Sequence, residues 1–497
     1  MPTDRFPPLR TDNDRIALID GDRRVSYGAL HGAVERLATG LLGGKADLEE
    51  ERIAFFLPAG TDYVTLLHGV WRAGGIAVPL NVGATLDELD HYLGCARVTR
   101  LVAHAGDHAM LGELCARLGI DLLRPDELMA AQAGALPEIV EDRRAMMVFT
   151  SGTTSKPKGV VTTHGNIRAQ ITVLLDAWGW SGEDRIPLFL PLHHVHGIIN
   201  ILSCALWAGA SVHLFPRFDA AAVAARVSAG DYTVFMAVPT VYVKLLDHLD
   251  GLDEGAARAM CEGFAAMRLT VSGSAACPVP LFEQWRARTG QVLLERYGMT
   301  EIGMALSNPY RGERRAGHVG QPLPGVEVRL YGEDDRPIGE EGQPGEIRVK
   351  GPNVFLEYWD NEEATRASFR DGWFCTGDMA VVERGYYRIM GRTSIDIIKS
   401  GGYKLSALEI EAVLLAHPAI AEAAVIGVED ATWGEVVAAF LVTRPGAAVS
   451  AEEIAAWCGE RLSSYKVPRQ VRFVDSLPRN AMGKVTKPDL KALLTSA

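Results

Sequence analysis

The stretch from Thr150 to Gly159 has the residue types of a loop that binds phosphate groups. Its small hydroxyl residues and glycines let backbone N–H groups approach phosphate oxygens, and Lys156 and Lys158 supply positive charge. The spacing differs from that of a Walker loop, GxxxxGK[ST], because Pro157 takes the place of the second glycine. We therefore predict a triphosphate-binding loop after a buried strand. Its contacts are assigned to Thr150, Ser151, Gly152, Thr153, Thr154 and Lys158.

Three later motifs follow in order along the chain. They are Tyr297-Gly-Met-Thr-Glu301, Thr376-Gly-Asp378 and Pro478-Arg-Asn-Ala-Met-Gly-Lys484. Together with the phosphate loop, they resemble the signature motifs of the adenylate-forming superfamily, which contains acyl-CoA synthetases, stand-alone adenylation domains and beetle luciferases. The resemblance extends over nearly the whole chain. It implies an ATP-dependent acid–CoA ligase, which forms an acyl-adenylate, releases pyrophosphate and then transfers the acyl group to the thiol of coenzyme A.

The resemblance also implies how ATP and Mg2+ are held. Tyr297 is expected to lie along the adenine, Thr300 to contact the α-phosphate, and Glu301 to bind Mg2+. A carboxylate combined with phosphate oxygens suits this hard cation. Two ribose contacts and one neighbour of the adenine complete the set: Asp378, Arg392 and Ser274.

The two half-reactions place different demands on the C-terminal part of the chain. The resemblance places Lys484 between the attacking carboxylate and the α-phosphate, where negative charge accumulates. This lysine must withdraw before the thiol can attack, and the family achieves this by rotating its C-terminal domain about a hinge. The chain reads GRTSID from Gly391 instead of the commonest pattern, GRxKD, so Ser394 and Ile395 are both candidates for the pivot. Coenzyme A is expected at Ser400, Gly401, Gly402 and Tyr403.

Arg296 indicates which class of carboxylic acid the protein binds. In an extended segment its side chain points away from that of Tyr297, and a guanidinium there can bind a second carboxylate through two hydrogen bonds. This part of the sequence resembles malonyl-CoA and methylmalonyl-CoA synthetases, in which the arginine binds the distal carboxylate. Malonate is therefore the first predicted substrate and methylmalonate the second. Further substrate contacts are assigned to His194, Lys244 and Met304.

Several other interpretations stay open. Arg296 could form a structural ion pair with Glu295 or Glu301. The protein could be a ligase for a fatty or aryl monocarboxylic acid, or an adenylation domain that loads a carrier protein. A nucleotide-binding regulator without turnover would have no need of Lys484.

No Cys, Asp or Glu accompanies the histidines of Pro191-Leu-His-His-Val-His-Gly197, so packing and hydrogen bonding explain them better than a metal does.

The surrounding sequence predicts an α/β fold. Short apolar runs alternate with longer segments of helical period, which is typical of βα units with buried, largely parallel strands. From about position 320, short alternating strands predict a small β subdomain, and the last hundred residues have an α+β pattern. We expect an N-terminal adenylation domain over residues 1–391, built from parallel-rich βα subdomains plus the β subdomain. A smaller, mobile C-terminal domain would cover residues 392–497.

The composition of the chain restricts its possible binding partners and its cellular location. A net charge of -12 and a pI near 5.6 argue against a nucleic-acid partner. No apolar run reaches the length that spans a bilayer, so no membrane association is expected and the cytoplasm is the predicted location. The seven cysteines form no CxxC motif and are expected to be reduced thiols. The sequence leaves open whether the protein is a monomer or a homodimer.

Overall fold

A computed structural model describes residues 14–150, 157–393, 395–400, 403–430, 432–479 and 485–495. Within these ranges the strands form five sheets. One large apolar core is shared by the elements of four of these sheets. The fifth sheet has separate cores of its own.

The first sheet carries the phosphate loop. Its described strands, in spatial order, are Glu357–Tyr358, Lys158–Thr163, Arg144–Thr150, Ile76–Pro79, Arg52–Phe56, Arg100–Ala103 and Asp121–Leu123. The five strands from Arg144–Thr150 onward run parallel, as the apolar runs predict. The remaining two are antiparallel additions at one edge.

Two further sheets complete the α/β part. One has the order Arg23–Ser26, Ile16–Asp20, Ser211–Leu214 and Arg185–Leu188. The other has the order Val234–Ala237, Leu269–Ser272, Leu294–Met299, Gly303–Ser307 and Gln321–Pro322. The first three strands of this last sheet are parallel, and the next two form an antiparallel extension. Arg296 and Tyr297 lie on the strand at which the direction changes.

The predicted β subdomain is the fourth sheet. Its strands are Glu327–Tyr331, Gly345–Lys350, Trp373–Glu383, Phe369–Arg370 and Tyr386–Arg392, all paired antiparallel. The fifth sheet is built from the C-terminal part of the chain. Its strands are Tyr403–Ser406, Ile397–Ser400, Gly434–Thr443, Ile420–Asp430 and Gln470–Phe473.

Helices cover the sheets and fill the connections. Many begin at a Ser, Thr or Asp whose side chain accepts a hydrogen bond from a backbone N–H of the first turn, as at Ser26, Thr85, Thr163 and Asp219. The α-helices are Tyr27–Leu42, Thr61–Arg72, Leu86–Cys95, His108–Leu118, Pro125–Met129, His164–Ala177, Cys204–Ala208, Ala220–Ser228, Pro239–Asp250, Glu254–Ala265, Val279–Thr289, Glu362–Ala367, Ala407–Leu415, Ala451–Gly459 and Lys487–Thr495. Two 3-10 helices span Ala105–Asp107 and Ser464–Lys466. A π-helix spans His196–Ser203.

Candidate active site

The phosphate loop connects two strands of the first sheet. Thr150 ends one strand and pairs across an antiparallel ladder with Lys158, which begins the next. The two strands therefore form the arms of a hairpin, and a helix begins only at His164. This hairpin was not predicted from the sequence. The predicted contacts Ser151, Gly152, Thr153 and Thr154 lie outside the described residues.

Three predicted nucleotide residues form one hydrogen-bonded group. The Tyr297 hydroxyl donates to Asp378 Oδ2 at 2.6 Å, and Arg392 Nε lies 3.3 Å from Asp378 Oδ1. Asp378 and Arg392 face each other on neighbouring strands, which fixes their separation. Burial raises the pKa of Asp378, and Arg392 and the Tyr297 hydroxyl oppose that shift. The group joins the third sheet to the fourth at a carboxylate that can accept hydrogen bonds from ribose hydroxyls.

Glu301 lies in the turn after Thr300, between the antiparallel strands Leu294–Met299 and Gly303–Ser307. It is buried, and its Oε1 accepts a hydrogen bond from the Tyr358 hydroxyl at 3.0 Å. The ammonium of Lys158 lies 4.9 Å from the centre of the Tyr358 ring. Tyr358 thus links the predicted Mg2+ ligand to the end of the phosphate loop. No sequence motif marks Tyr358, so its role could not be predicted from the sequence.

The donor chemistry at Glu301 fits Mg2+. A carboxylate is a hard oxygen ligand, and Mg2+ commonly takes one or two protein carboxylates with substrate phosphates and water. Across the described ranges, no three His, Cys, Asp or Glu side chains cluster closely enough to hold a metal without a substrate. Burial raises the pKa of Glu301, and the Tyr358 hydroxyl opposes that shift by stabilising the ionised form.

Arg296 points away from Tyr297, as the alternation of a strand predicts. Its side chain is buried, with 4% of the residue exposed, and its Nη2 lies 3.5 Å from Ser274 Oγ. Among the described residues no carboxylate lies within ion-pair distance of the guanidinium, and its Nε has no hydrogen-bond partner. Glu295 instead accepts from the backbone N–H of Gly317 at 2.8 Å. Burial lowers the pKa of Arg296 to about 10, so it remains a cation at neutral pH.

Gly273 makes room for this guanidinium. A Cβ atom at Gly273 would lie 2.4 Å from Arg296 Cζ, closer than any carbon contact allows. The next residue, Ser274, has a φ of 66°, which turns the chain sharply after the strand Leu269–Ser272. The glycine and the turn together bring Ser274 Oγ to Arg296.

His196 approaches the same serine from the π-helix. Its Nδ1 lies 3.0 Å from Ser274 Oγ, and its other ring nitrogen is buried and has no partner in the described part of the chain. Burial, with contributions from Arg296 and His194, holds the pKa of His196 well below its usual range. The imidazole is therefore neutral and can donate a hydrogen bond. The predicted contact His194 is half-buried beside His193, with 4.2 Å between the ring centres.

The other predicted acid contacts have different surroundings. Met304 is buried, and its backbone N–H donates to the Gln170 side-chain oxygen. Gly303 beside it has a φ of 56°, and a Cβ there would overlap Gln170 Oε1. Lys244 lies on an exposed face of the helix Pro239–Asp250, two residues after the buried Tyr242. Its contact with the acid stays a prediction.

Two of the residues predicted to bind coenzyme A, Ser400 and Tyr403, lie on strands of the fifth sheet. Ser400 is buried, whereas Tyr403 is 56% exposed and stacks on Tyr465 with 4.5 Å between ring centres. The hinge candidate Ile395 donates its backbone N–H to Arg392 O at 3.1 Å. Ser394, Gly401, Gly402 and Lys484 lie outside the described residues.

Comparison with known proteins places this site in a family. The AMP-binding enzyme family matches residues 8–359, and the AMP-binding enzyme C-terminal domain matches residues 409–484. The mitochondrial malonate–CoA ligase ACSF3 of Bos taurus is 44% identical over 96% of this chain and 88% of that protein.

Solved structures agree with this assignment. ATP-bound MatB from Rhodopseudomonas palustris superposes with a TM-score of 0.88 at 34% identity, covering 98% of this chain and 97% of that one. The o-succinylbenzoate CoA synthetase MenE of Bacillus subtilis, in complex with ATP and magnesium, has a TM-score of 0.83 at 32% identity and covers 96% of each chain. They share the predicted α/β architecture with a large N-terminal and a small C-terminal domain. The chain belongs to the AMP-binding enzyme family.

Proposed function

We propose that this protein is an ATP-dependent ligase that joins a short dicarboxylic acid to coenzyme A, with malonate as the first substrate and methylmalonate as the second. The observation that carries this proposal is the Arg296 guanidinium. It is buried, cationic and without a carboxylate partner among the described residues. An unpaired buried charge costs several kcal/mol, about 3–5 where one partner of a buried pair is missing. A substrate carboxylate would remove that cost, whereas an alkyl or aryl group would not.

The relatives support the same substrate class. The Bos taurus relative is named as a malonate–CoA ligase. The strand Leu294–Met299 presents Tyr297 to the nucleotide group on one face and Arg296 on the other. An acid with one carboxylate at the α-phosphate and a second a few ångströms away suits this alternation, because successive side chains point to opposite faces of a strand.

The first half-reaction is an attack by a substrate carboxylate oxygen on the α-phosphorus of ATP. The new P–O bond forms as the bond to pyrophosphate breaks, and pyrophosphate leaves. Asp378, held by Tyr297 and Arg392, positions the ribose, and Thr300 is proposed to contact the α-phosphate. Glu301 would hold Mg2+, which neutralises phosphate charge when bound. Lys484 is proposed to stabilise the charge that develops between the two reacting anions.

The second half-reaction transfers the acyl group to a thiol. The sulfur attacks the acyl carbon, the bond to AMP breaks, and the thiol proton passes to solvent. The exposed Tyr403 and Tyr465 rings offer a stacking surface at the fifth sheet. We propose free coenzyme A as the acceptor, and a carrier-protein phosphopantetheine as the alternative. Turnover with coenzyme A alone would favour the first.

The chain is proposed to change direction between its domains within residues 393–396. The strand Tyr386–Arg392 still pairs in the fourth sheet, and the fifth sheet begins at Ile397. This interval follows the predicted boundary at residue 391 by a few residues and contains both hinge candidates.

The cytoplasmic location remains a prediction, since the Bos taurus relative is mitochondrial by name. Among the described residues, none of the helices is long and apolar enough to cross a membrane.

The decisive experiment measures pyrophosphate release with ATP, Mg2+ and coenzyme A across malonate, methylmalonate, acetate, octanoate and benzoate. We expect malonate or methylmalonate to be preferred, and Arg296→Ala to lower kcat/KM for that acid at least 100-fold. Arg286→Ala is the matched control, because that arginine lies on an exposed helix surface. Preference for a monocarboxylate that is unaffected by Arg296→Ala would contradict the diacid proposal. Absence of turnover with any acid would favour a regulator instead.

A further inference from the structure

Asn200 is buried in the middle of the π-helix and has no hydrogen-bond partner. Only 1% of the residue is exposed, and neither Oδ1 nor Nδ2 is paired with any described group. Burying an amide without partners costs about 1–3 kcal/mol. Such residues in native proteins call for an explanation, and a bound ligand is one.

The geometry of the π-helix directs Asn200 toward the acid site. The backbone N–H of Cys204 bonds to Ile199 O, the i to i+5 pattern of a π-helix, which has more residues per turn than an α-helix. Side chains four positions apart then lie on one face, so Asn200 follows His196 one turn later. His196 contacts Ser274, and Ser274 contacts Arg296. Asn200 therefore continues the row of polar side chains that begins at the guanidinium.

A second unpaired donor lies on the helix packed against the π-helix. Gln170, on the helix His164–Ala177, is buried, and its side-chain oxygen is taken by the Met304 N–H. Its Nε2 has no partner among the described residues. His164–Ala177 and the π-helix pack directly against each other. Unpaired N–H groups thus come from two neighbouring elements, and Arg296 Nε adds a third from the strand Leu294–Met299.

We propose that Asn200 is a specificity-determining residue that binds the substrate's second carboxylate together with Arg296. This inference rests on the proposed diacid function and adds a residue to it. The Asn200 amide donates a hydrogen bond that an alkyl group cannot accept, so an apolar acid leaves the amide buried and unpaired. A site built to bond a polar substrate group rejects analogues without that group far more strongly than a hydrophobic pocket rejects a polar one.

The test compares malonate with butyrate, a monocarboxylate of similar length, in the parent and in Asn200→Leu. We expect the ratio of kcat/KM for malonate over butyrate to fall at least 10-fold, with the KM for ATP unchanged. The melting temperature should stay the same or rise, because leucine has the same branching and number of side-chain heavy atoms and removes an unpaired amide. Ile199→Val, in the same helix, is the control for a change of packing. An unchanged ratio would overturn the proposal.

A second variant, Asn200→Ala, keeps the proposal testable if Asn200→Leu does not fold. Asn200→Ala introduces no clash, and we expect the same fall in the ratio; a ratio equal to that of the parent would again overturn the proposal. A melting temperature that falls with an unchanged ratio assigns Asn200 a structural role only. Failure of the proposed function is separately visible, since the parent would then prefer butyrate over malonate before any substitution is made.

Discussion

Lys487 Nζ lies 2.6 Å from Asp396 Oδ1, and this contact joins the last helix of the chain to the segment between the fourth and fifth sheets. The same ammonium lies 2.7 Å from Glu411 Oε1. Asp396 uses its other oxygen to accept the backbone N–H of Arg392 at 3.0 Å. The ribose-contact strand, the predicted hinge and the final helix are therefore connected through one buried lysine.

We expect Lys487→Met to destabilise the protein strongly. The lysine side chain is only 11% exposed, and its removal leaves the carboxylates of Asp396 and Glu411 buried without a cation. Loss of one partner from a buried ion pair costs about 3–5 kcal/mol. Urea unfolding followed by tryptophan fluorescence measures the change. Lys491→Met, at an exposed position of the same helix, should change stability by less than about 0.5 kcal/mol. Equal effects of the two substitutions would show that the ion pairs contribute nothing.

Tyr297→Phe should weaken ATP binding without affecting the fold. The substitution removes the hydroxyl that donates to Asp378 at 2.6 Å and leaves Arg392 as the contact on its other oxygen. A hydrogen bond to a charged group contributes about 1.5–3 kcal/mol, so we expect the KM for ATP to rise roughly 10- to 100-fold. Steady-state kinetics with saturating acid and coenzyme A test this. Tyr387→Phe, which loses a bond to the Val328 carbonyl, is the control and should leave that KM unchanged.

Gly273→Ala should displace the Arg296 guanidinium. The added methyl group would lie 2.4 Å from both Nε and Cζ of Arg296, so the arginine must move. We expect the KM for the diacid to rise at least 10-fold while the KM for ATP changes less than 2-fold, because the nucleotide group lies on the other face of the strand. Gly94→Ala, with no atom near the new methyl, serves as control. A parallel rise in both KM values would point to general distortion of the site.

Structural features that depend on a local sequence pattern could be predicted from the sequence. Strand alternation predicted that Arg296 and Tyr297 lie on opposite faces, as they do in the structure. The family resemblance implied that Asp378 and Arg392 both contact the ribose, and the two residues lie side by side on neighbouring strands. Contacts set by distant parts of the chain were not accessible: nothing in the sequence couples Tyr358 to Glu301, which are 57 positions apart. The π-helix also escaped prediction, since its apolar run is equally compatible with an α-helix. The acid contact of Lys244 stays a prediction, since the residue lies on an exposed face of its helix and no contact in the structure tests it.

Glu295 should make stability depend on pH. Burial raises its pKa to about 8 from the ordinary value of 4.5, although the backbone N–H groups of Gly317 and Cys277 oppose the shift. Between these two values the folded protein holds a proton on Glu295 that the unfolded chain has lost. The free energy of unfolding therefore declines as pH rises from 4.5 toward about 8, because the folded state binds more protons.

Glu295→Gln removes this decline, since an amide cannot ionise and its oxygen can still accept from Gly317. We expect the variant and the parent to have similar melting temperatures at about pH 5, and the variant to be more stable at about pH 8, by up to roughly 4 kcal/mol. Scanning calorimetry at several pH values measures the difference. Glu262→Gln, at an exposed position, should show no such trend. A stability difference that is the same at both pH values would mean that the pKa of Glu295 is not raised in the folded protein.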